Sequence, residues 1–512
     1  MKKPEFFPTF ESLYEYECPD WFRDAKFGIW SHWGPQSVPM CGDWYARHMY
    51  VQDSPQYLYH VRHYGHPSKF GYKDICKLWK AENFDPDGLM ALYHKSGARY
   101  FVGQAMHHDH FFNYASALNR MNSAQVGPMK DICALWRKAA DRHDMPFGLS
   151  EHLGATFSWW KTNKWSDTYG PYEGVPYDGN DPEYRDFYMD NYEHASDRDT
   201  ASRPWYTENP KHRAYWLAVI KEVVDRFTPD LLYTDGVLPF GEHWHETEQT
   251  TGAADNAAAY RLGLEAAAYL YNASIGKHGK NNAVYLQKDR RPEIYRVGIL
   301  DIEKSQLPGI AERPWHTDTC IGNWFYDAKA PFKRPGHIIE MLVDIIAKNG
   351  TMLLNVLQRP DGTIDDEAAY ILREIGAWFA ICGQAVYRTR PYRVFGEGGA
   401  QVLIEGFREE RAKWGPDDFR FTQGAGAGGA SGGAGAGTGA DAGGAVYAFM
   451  MKPDDSGTAV LRSFSDRRVN RVGLLDGSAD GQKLEFAQNF GLLTVKLPRE
   501  LPTKYVNCLK IQ

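Results

Sequence analysis

Eight short apolar runs, separated by longer segments of helical period, constrain the fold more than anything else in the chain. They are AKFGIWSHW (25–33), ARYFVGQAM (98–106), PFGLSEHL (146–153), DLLYTDG (230–236), NAVYLQKD (282–289), GILDIEK (298–304), HTDTCIG (316–322) and TMLLNV (351–356). Such runs read as strands of a parallel sheet with helical crossovers, and eight of them close a (β/α) barrel. Two of the crossovers announce their ends. In FDPDGLMALYHKSGARY, Asp85 predicts an N-cap, Pro86 the first helical position and Gly97 the stop. In PGHIIEMLVDIIAKNG, Pro335 opens a helix with Ile338, Ile339, Leu342, Val343 and Ile346 on one face, and Gly350 is expected to take the left-handed cap. The connections between strands five and six and between six and seven are too short for a full helix, so the barrel is expected to be imperfect.

From about residue 386 the texture changes to short alternating segments, VYAFMM (446–451), TAVLRSF (458–464), KLEFAQ (483–488) and LLTVKL (492–497), the signature of an antiparallel β-sandwich. The expected organisation is a barrel domain over 1–388 and a sandwich over 389–512. Inside the second lies GAGAGGASGGAGAGTGADAGG (424–444), whose composition is expected to make it a mobile loop with no chemistry of its own. All 18 histidines fall at or before His337, which places the reactive groups in the barrel.

A formal charge of −7 marks neither a nucleic-acid binder nor a partner of acidic membranes. Seven scattered cysteines without a C-x-x-C pair disfavour a disulfide framework and a zinc knuckle. The opening MKKPEFFPTFESLYEYE has no apolar core of a secretory signal, and no run is long enough for a membrane span. A cytoplasmic location is the expectation, or a periplasmic or secreted one if a signal has been removed.

Barrel chemistry sits at the C-terminal ends of the strands. Those ends carry His32-Trp33-Gly34, His107-His108-Asp109, Glu151-His152, Asp235-Gly236 and Glu303, with no serine elbow, P-loop or dinucleotide fingerprint. Two carboxylates among hydroxyl-reading histidines and aromatics suit glycoside hydrolysis, in which one attacks the anomeric carbon and the other protonates the leaving oxygen. Asp235 is the nucleophile candidate, because it ends an apolar strand and Gly236 permits a sharp turn; an ordinary Asp-Gly turn explains the same residues equally well. Glu303 is the acid/base candidate, with a surface pair to Lys304 as its simpler explanation and Glu151, Glu242, Glu293 and Glu312 as rivals. The pair His243/His245 lacks a third ligand at convincing spacing, so neither a catalytic metal nor a cofactor is expected.

The segments AKFGIWSHWGPQSVPMCGDWYARHM (25–49), FDPDGLMALYHKSGARYFVGQAMHHDHF (84–111), MNSAQVGPMKDI (121–132), TPDLLYTDG (228–236) and IIEMLVDIIAKNGTMLLNVLQRPDGTI (338–364) resemble, in order, the α-L-fucosidases of glycoside hydrolase family 29. The resemblance implies an exo-acting retaining α-L-fucosidase built as a (β/α) barrel followed by a β-sandwich. It makes Asp235 the nucleophile and, by order along the chain, Glu303 the acid/base. His32 of HWG and His107 and His108 of HHD would bind fucose hydroxyls, with Trp33 and His152 beside them. Asp43 stands where the family often has a glutamate, ahead of Trp44 and Tyr45. Tyr233 replaces a tryptophan two residues before the nucleophile, and His110 replaces a glycine. Trp315, Trp324 and Phe325 are candidates for an apolar wall against the sugar's methyl group.

In a retaining enzyme the two carboxyls lie about 5 to 5.5 Å apart. The partner implied is a fucosylated oligosaccharide or glycoconjugate. Other readings are an α-L-glycosidase for a fucose-like sugar such as L-galactose, a non-catalytic carbohydrate-binding relative, and a metal-dependent hydrolase built on His107, His108 and His152.

Overall fold

The computed structural model describes residues 5–194, 196, 198, 204–241, 257–400, 402, 409, 412–424, 444–452 and 456–512. Eight strands form one parallel sheet: β1 (Phe27–Ser31), β2 (Phe101–Gln104), β3 (Phe147–Glu151), β4 (Leu231–Thr234), β5 (Val284–Gln287), β6 (Ile299–Leu300), β7 (Trp315–Cys320) and β8 (Gly350–Asn355). Their order, β6-β5-β4-β3-β2-β1-β8-β7, curls the sheet until its two ends meet through a single bridge between Asp301 and His316. The result is a nearly closed (β/α) barrel. Every residue of these strands is buried, because helices cover the outside while side chains fill the inside, so the strands are written as apolar runs rather than alternations. The predicted weak point is where the ladder thins: a four-residue helix, Pro292–Tyr295, joins β5 to β6, and β6 itself is two residues long.

Helix ends follow their local chemistry. The Asp85 side chain accepts from the Gly88 amide at 3.0 Å, Pro86 begins the helix Pro86–Lys95, and Gly97 follows with φ +100°. The helix Pro335–Ala347 corrects one expectation. Asn349, not Gly350, takes the left-handed conformation, at φ +73°, which asparagine tolerates. Gly350 instead opens β8, where a Cβ would stand 2.8 Å from the Trp315 ring.

Beyond the barrel come β9 (Thr389–Glu397), β10 (Phe419–Gly424), β11 (Val446–Met450), β12 (Thr458–Leu461), β13 (Val472–Leu474), β14 (Gln482–Lys483), β15 (Phe486–Asn489), β16 (Leu492–Lys496) and β17 (Asn507–Ile511). They make a six-stranded sheet, β14-β13-β17-β11-β10-β9, and a three-stranded one, β12-β16-β15, with antiparallel pairing throughout. Phe421, Val446, Leu461, Leu493 and Leu509 fill the core of this sandwich. Of the glycine- and alanine-rich stretch 424–444, residues 425–443 lie outside the described residues. The sandwich is fastened to the barrel by polar links as well as packing. Trp378 donates to the Val506 carbonyl at 2.7 Å, and Arg420 of β10 pairs with Asp344 of the barrel helix, both side chains being buried.

Candidate active site

The C-terminal ends of the parallel strands bring their tips together around one buried ammonium. Lys288, just past β5, places Nζ 2.7 Å from Asp235 Oδ1 and 2.5 Å from Glu303 Oε2, with its side chain only 4% exposed. Oxygens that share one nitrogen at those distances are no farther apart than the about 5 to 5.5 Å of a double-displacement pair. Glu303 is therefore not the surface partner of Lys304, whose ammonium lies over the Trp324 ring at 4.8 Å. The second Glu303 oxygen accepts from Trp324 Nε1 at 3.0 Å.

Asp235 is held from both sides. His108 Nε2 lies 3.2 Å from its Oδ2, while His108 Nδ1 faces the His152 carbonyl at 2.7 Å. His108 is thus pinned at both ring nitrogens, between the Asp235 carboxylate and the His152 carbonyl. Burial alone would raise the Asp235 carboxyl; the Lys288 charge and the His108 hydrogen bond outweigh it and hold Asp235 well below the usual carboxylate range. The turn after it requires glycine: Gly236 sits at φ +115°, and a Cβ there would lie 2.5 Å from the Tyr206 hydroxyl.

Opposite the carboxyls stands a wall of imidazoles. Among the described residues, His32, His107 and His152 each bring one ring nitrogen within 4.8 Å of the others, a cluster that could hold a metal ion as well as meet sugar hydroxyls. Burial pushes all three below the usual histidine range, His152 to about 3, so they face the pocket neutral. The Gln36 amide donates to His107 Nδ1 at 2.9 Å, which leaves the His107 proton on Nε2. His32 Nδ1, His152 Nδ1 and Asp43 Oδ1 are buried polar atoms with no hydrogen-bond partner among the described residues. Burial lifts the Asp43 carboxyl to about 7. Phe325 closes the wall edge-on, its ring 4.6 Å from that of His32 and 5.1 Å from that of His107. Asn355, at the end of β8, accepts from the His32 amide at 3.0 Å and donates to the Trp324 carbonyl at 2.8 Å, tying the imidazole wall to the loop that carries Trp324.

Trp44 joins this group with its ring 6.4 Å from His108, on a left-handed backbone at φ 58°. Tyr233 lies in the floor, its ring 4.8 Å from Trp30, but its hydroxyl is committed to Asp318 Oδ2 at 2.8 Å.

Three expected sugar contacts are corrected. Trp33 turns away, donating to the Arg359 carbonyl at 3.0 Å and packing on Trp79, because the residue after His32 points to the other face of the strand's continuation. Tyr45 is buried with its hydroxyl on His60 Nδ1 at 2.8 Å. Trp315 is the first residue of β7, at the opposite end of the barrel, and donates to the Lys348 carbonyl at 2.8 Å. Of the rival acids, Glu151 is wholly buried and accepts from the Leu153 amide at 2.8 Å, joining β3 to the helix that follows it. Glu242, His243 and His245 lie outside the described residues.

Lys288 is the main residue that sequence reading missed. Its signal was present, since QKD ends the fifth strand just as HHD ends the second. Trp159 and Trp205, whose rings lie 5.1 and 5.2 Å from His108, were missed as well and follow no strand.

A carboxyl pair across the mouth of a (β/α) barrel, faced by neutral imidazoles and indoles, defines a glycoside hydrolase. A family model described as alpha-L-fucosidase matches residues 1–384. Tissue alpha-L-fucosidase of Rattus norvegicus is 26% identical over 405 residues, 77% of this chain and 75% of that protein. Among solved structures, the Thermotoga maritima alpha-fucosidase in complex with fucose superposes with TM-score 0.70 at 22% identity, over 99% of this chain and 100% of that one. A trapped covalent intermediate of an alpha-L-fucosidase from Bacteroides thetaiotaomicron has TM-score 0.63 at 14% identity, over 96% and 95%. The chain belongs to the α-L-fucosidase family of glycoside hydrolases, and its activity is that of an α-L-fucosidase.

Proposed function

We propose that the enzyme removes terminal α-L-fucose from glycans with retention of anomeric configuration, Asp235 acting as nucleophile and Glu303 as acid/base. The observation that carries this is the sharing of Lys288 by the two carboxyls. In the first step an Asp235 oxygen bonds to the anomeric carbon, the bond to the aglycone breaks, and the Glu303 proton goes to the departing oxygen. In the second, water attacks the same carbon, gives its proton to Glu303 and releases Asp235 as carboxylate. The covalent intermediate trapped in the Bacteroides thetaiotaomicron relative supports this course. His32, His107 and His152 then meet the ring hydroxyls, and Phe325 and Trp324 supply the apolar surface that a 6-methyl group needs. A cytoplasmic location is part of the same reading, supported by seven free cysteines, five of them buried.

The test is chemical trapping. Incubation with a 2-deoxy-2-fluoro-fucosyl fluoride and peptide mass mapping should place the label on Asp235. A label on another carboxyl, or none together with loss of activity, would remove Asp235 from its role.

A further inference from the structure

Lys288 has more to do than hold Asp235. The groups that face it come from five strands. Asp235 and Tyr233 belong to β4 and its tip, Asp301 and Glu303 to the tip of β6, and His316 and Asp318 to β7. His152 approaches from the tip of β3, and His108, beyond β2, meets the far oxygen of Asp235. Most of these are neutral. Burial lifts Asp301 to about 8 and Asp318 well above the usual range, and it lowers His316 to about 4 and His152 to about 3. The two carboxyls that the ammonium touches are Asp235 and Glu303, and the reaction passes one negative charge between them.

We propose that Lys288 is a positioning residue that serves as the shared counter-ion of this pair, holding Asp235 while it is the anion and Glu303 once Asp235 is an ester. The proposal rests on the double-displacement roles given above. Those roles begin with Asp235 as the anion, which Lys288 and His108 favour, and with Glu303 as the proton donor. When the Asp235 oxygen bonds to carbon and the Glu303 proton leaves with the aglycone, the pair keeps its total charge of one, now on Glu303. A lysine already 2.5 Å from Glu303 meets the new charge without moving. When water returns its proton to Glu303 and the ester breaks, the charge goes back to Asp235. A group bound to one carboxyl alone would stabilise one half-reaction at the expense of the other.

The experiment is the pH dependence of kcat/KM on 4-nitrophenyl α-L-fucoside for Lys288→Gln, Lys288→Met and Lys288→Arg. Removing a positive charge makes both carboxyls harder to ionise, so both limbs of the profile should move to higher pH by about one unit or more in the Gln and Met variants. Their optimum rate should fall by about tenfold or more, and Lys288→Arg should return the limbs toward wild type. A profile that drops in height with both limbs in place would show a merely structural lysine and overturn the proposal, as would Arg behaving like Met. If the Gln and Met variants fail to fold, Lys288→His takes their place: limbs moved to higher pH support the proposal, and limbs at their wild-type positions with a lowered rate contradict it. Labelling of the same variants by the fluoro-sugar separates the two readings. Label on Asp235 with limbs in place removes only the counter-ion, whereas label elsewhere removes the catalytic assignment itself.

Discussion

His108 places Nε2 3.2 Å from Asp235 Oδ2 while its Nδ1 is fixed by the His152 carbonyl. The imidazole therefore cannot swing away, and it aims a hydrogen bond at the carboxylate from the side opposite Lys288. A hydrogen bond to a charged group contributes about 1.5–3 kcal/mol. His108→Phe should accordingly lower kcat/KM on an aryl α-L-fucoside by about 10- to 100-fold, with fluorescence and circular dichroism unchanged. A loss below about threefold would mean that Asp235 is held by Lys288 alone.

Glu151 separates a buried carboxyl from a catalytic one. Burial raises it from an ordinary 4.5 to about 7. A carboxyl raised in the folded chain favours folding fully below its unfolded value, and that contribution is lost as pH rises through the folded value. Between about pH 4.5 and 7 the wild type loses stability that Glu151→Gln does not, at up to about 1.4 kcal/mol per pH unit. The melting temperature of the variant minus that of wild type should thus climb from pH 5 to pH 8, and turnover should persist. A flat difference would contradict the burial argument; abolished turnover in a folded variant would make Glu151 the acid.

Asp344 receives two cations in the seam between barrel and sandwich, Arg420 from β10 and Lys348 Nζ at 2.7 Å. Arg420 also stacks over Trp414 at 4.8 Å. Arg420→Met leaves a buried carboxylate with one partner, a loss of about 3 kcal/mol. Urea denaturation followed by tryptophan fluorescence should show a clear fall in midpoint, while kcat/KM, measured far below that midpoint, stays within about twofold. An unchanged midpoint would show that Lys348 satisfies Asp344 unaided.

The barrel was legible because each of its strands is buried on both faces and so leaves an uninterrupted apolar run; all eight predicted runs contain the observed strand or overlap it. Direction was harder to read than position. Trp315 lies beyond the sixth predicted run and so reads as a wall candidate beside Trp324 and Phe325, whereas it opens the seventh strand, which puts that indole at the far end of the barrel. Glu303 was legible as the end of the run GILDIEK and by its order along the chain, although β6 itself is only two residues long. Lys288 shows in the sequence only as a polar strand end; a lysine there usually ends in solvent, and the convergence of β4, β5 and β6 is what makes it the centre of the site. Periodicity reports the face a residue lies on, not the partner that another strand brings to it.

The central claim, that Asp235 is the nucleophile and Glu303 its proton donor, is tested most directly with Asp235→Gly and sodium azide. Turnover of an aryl α-L-fucoside should fall by about 10⁴-fold or more in the variant. Azide should restore aglycone release by entering the space left by the carboxylate, and the product should be the β-fucosyl azide, identified by the anomeric coupling in its proton spectrum. A variant that keeps its activity, or one that azide leaves inactive although it is folded and binds fucose, would contradict the assignment.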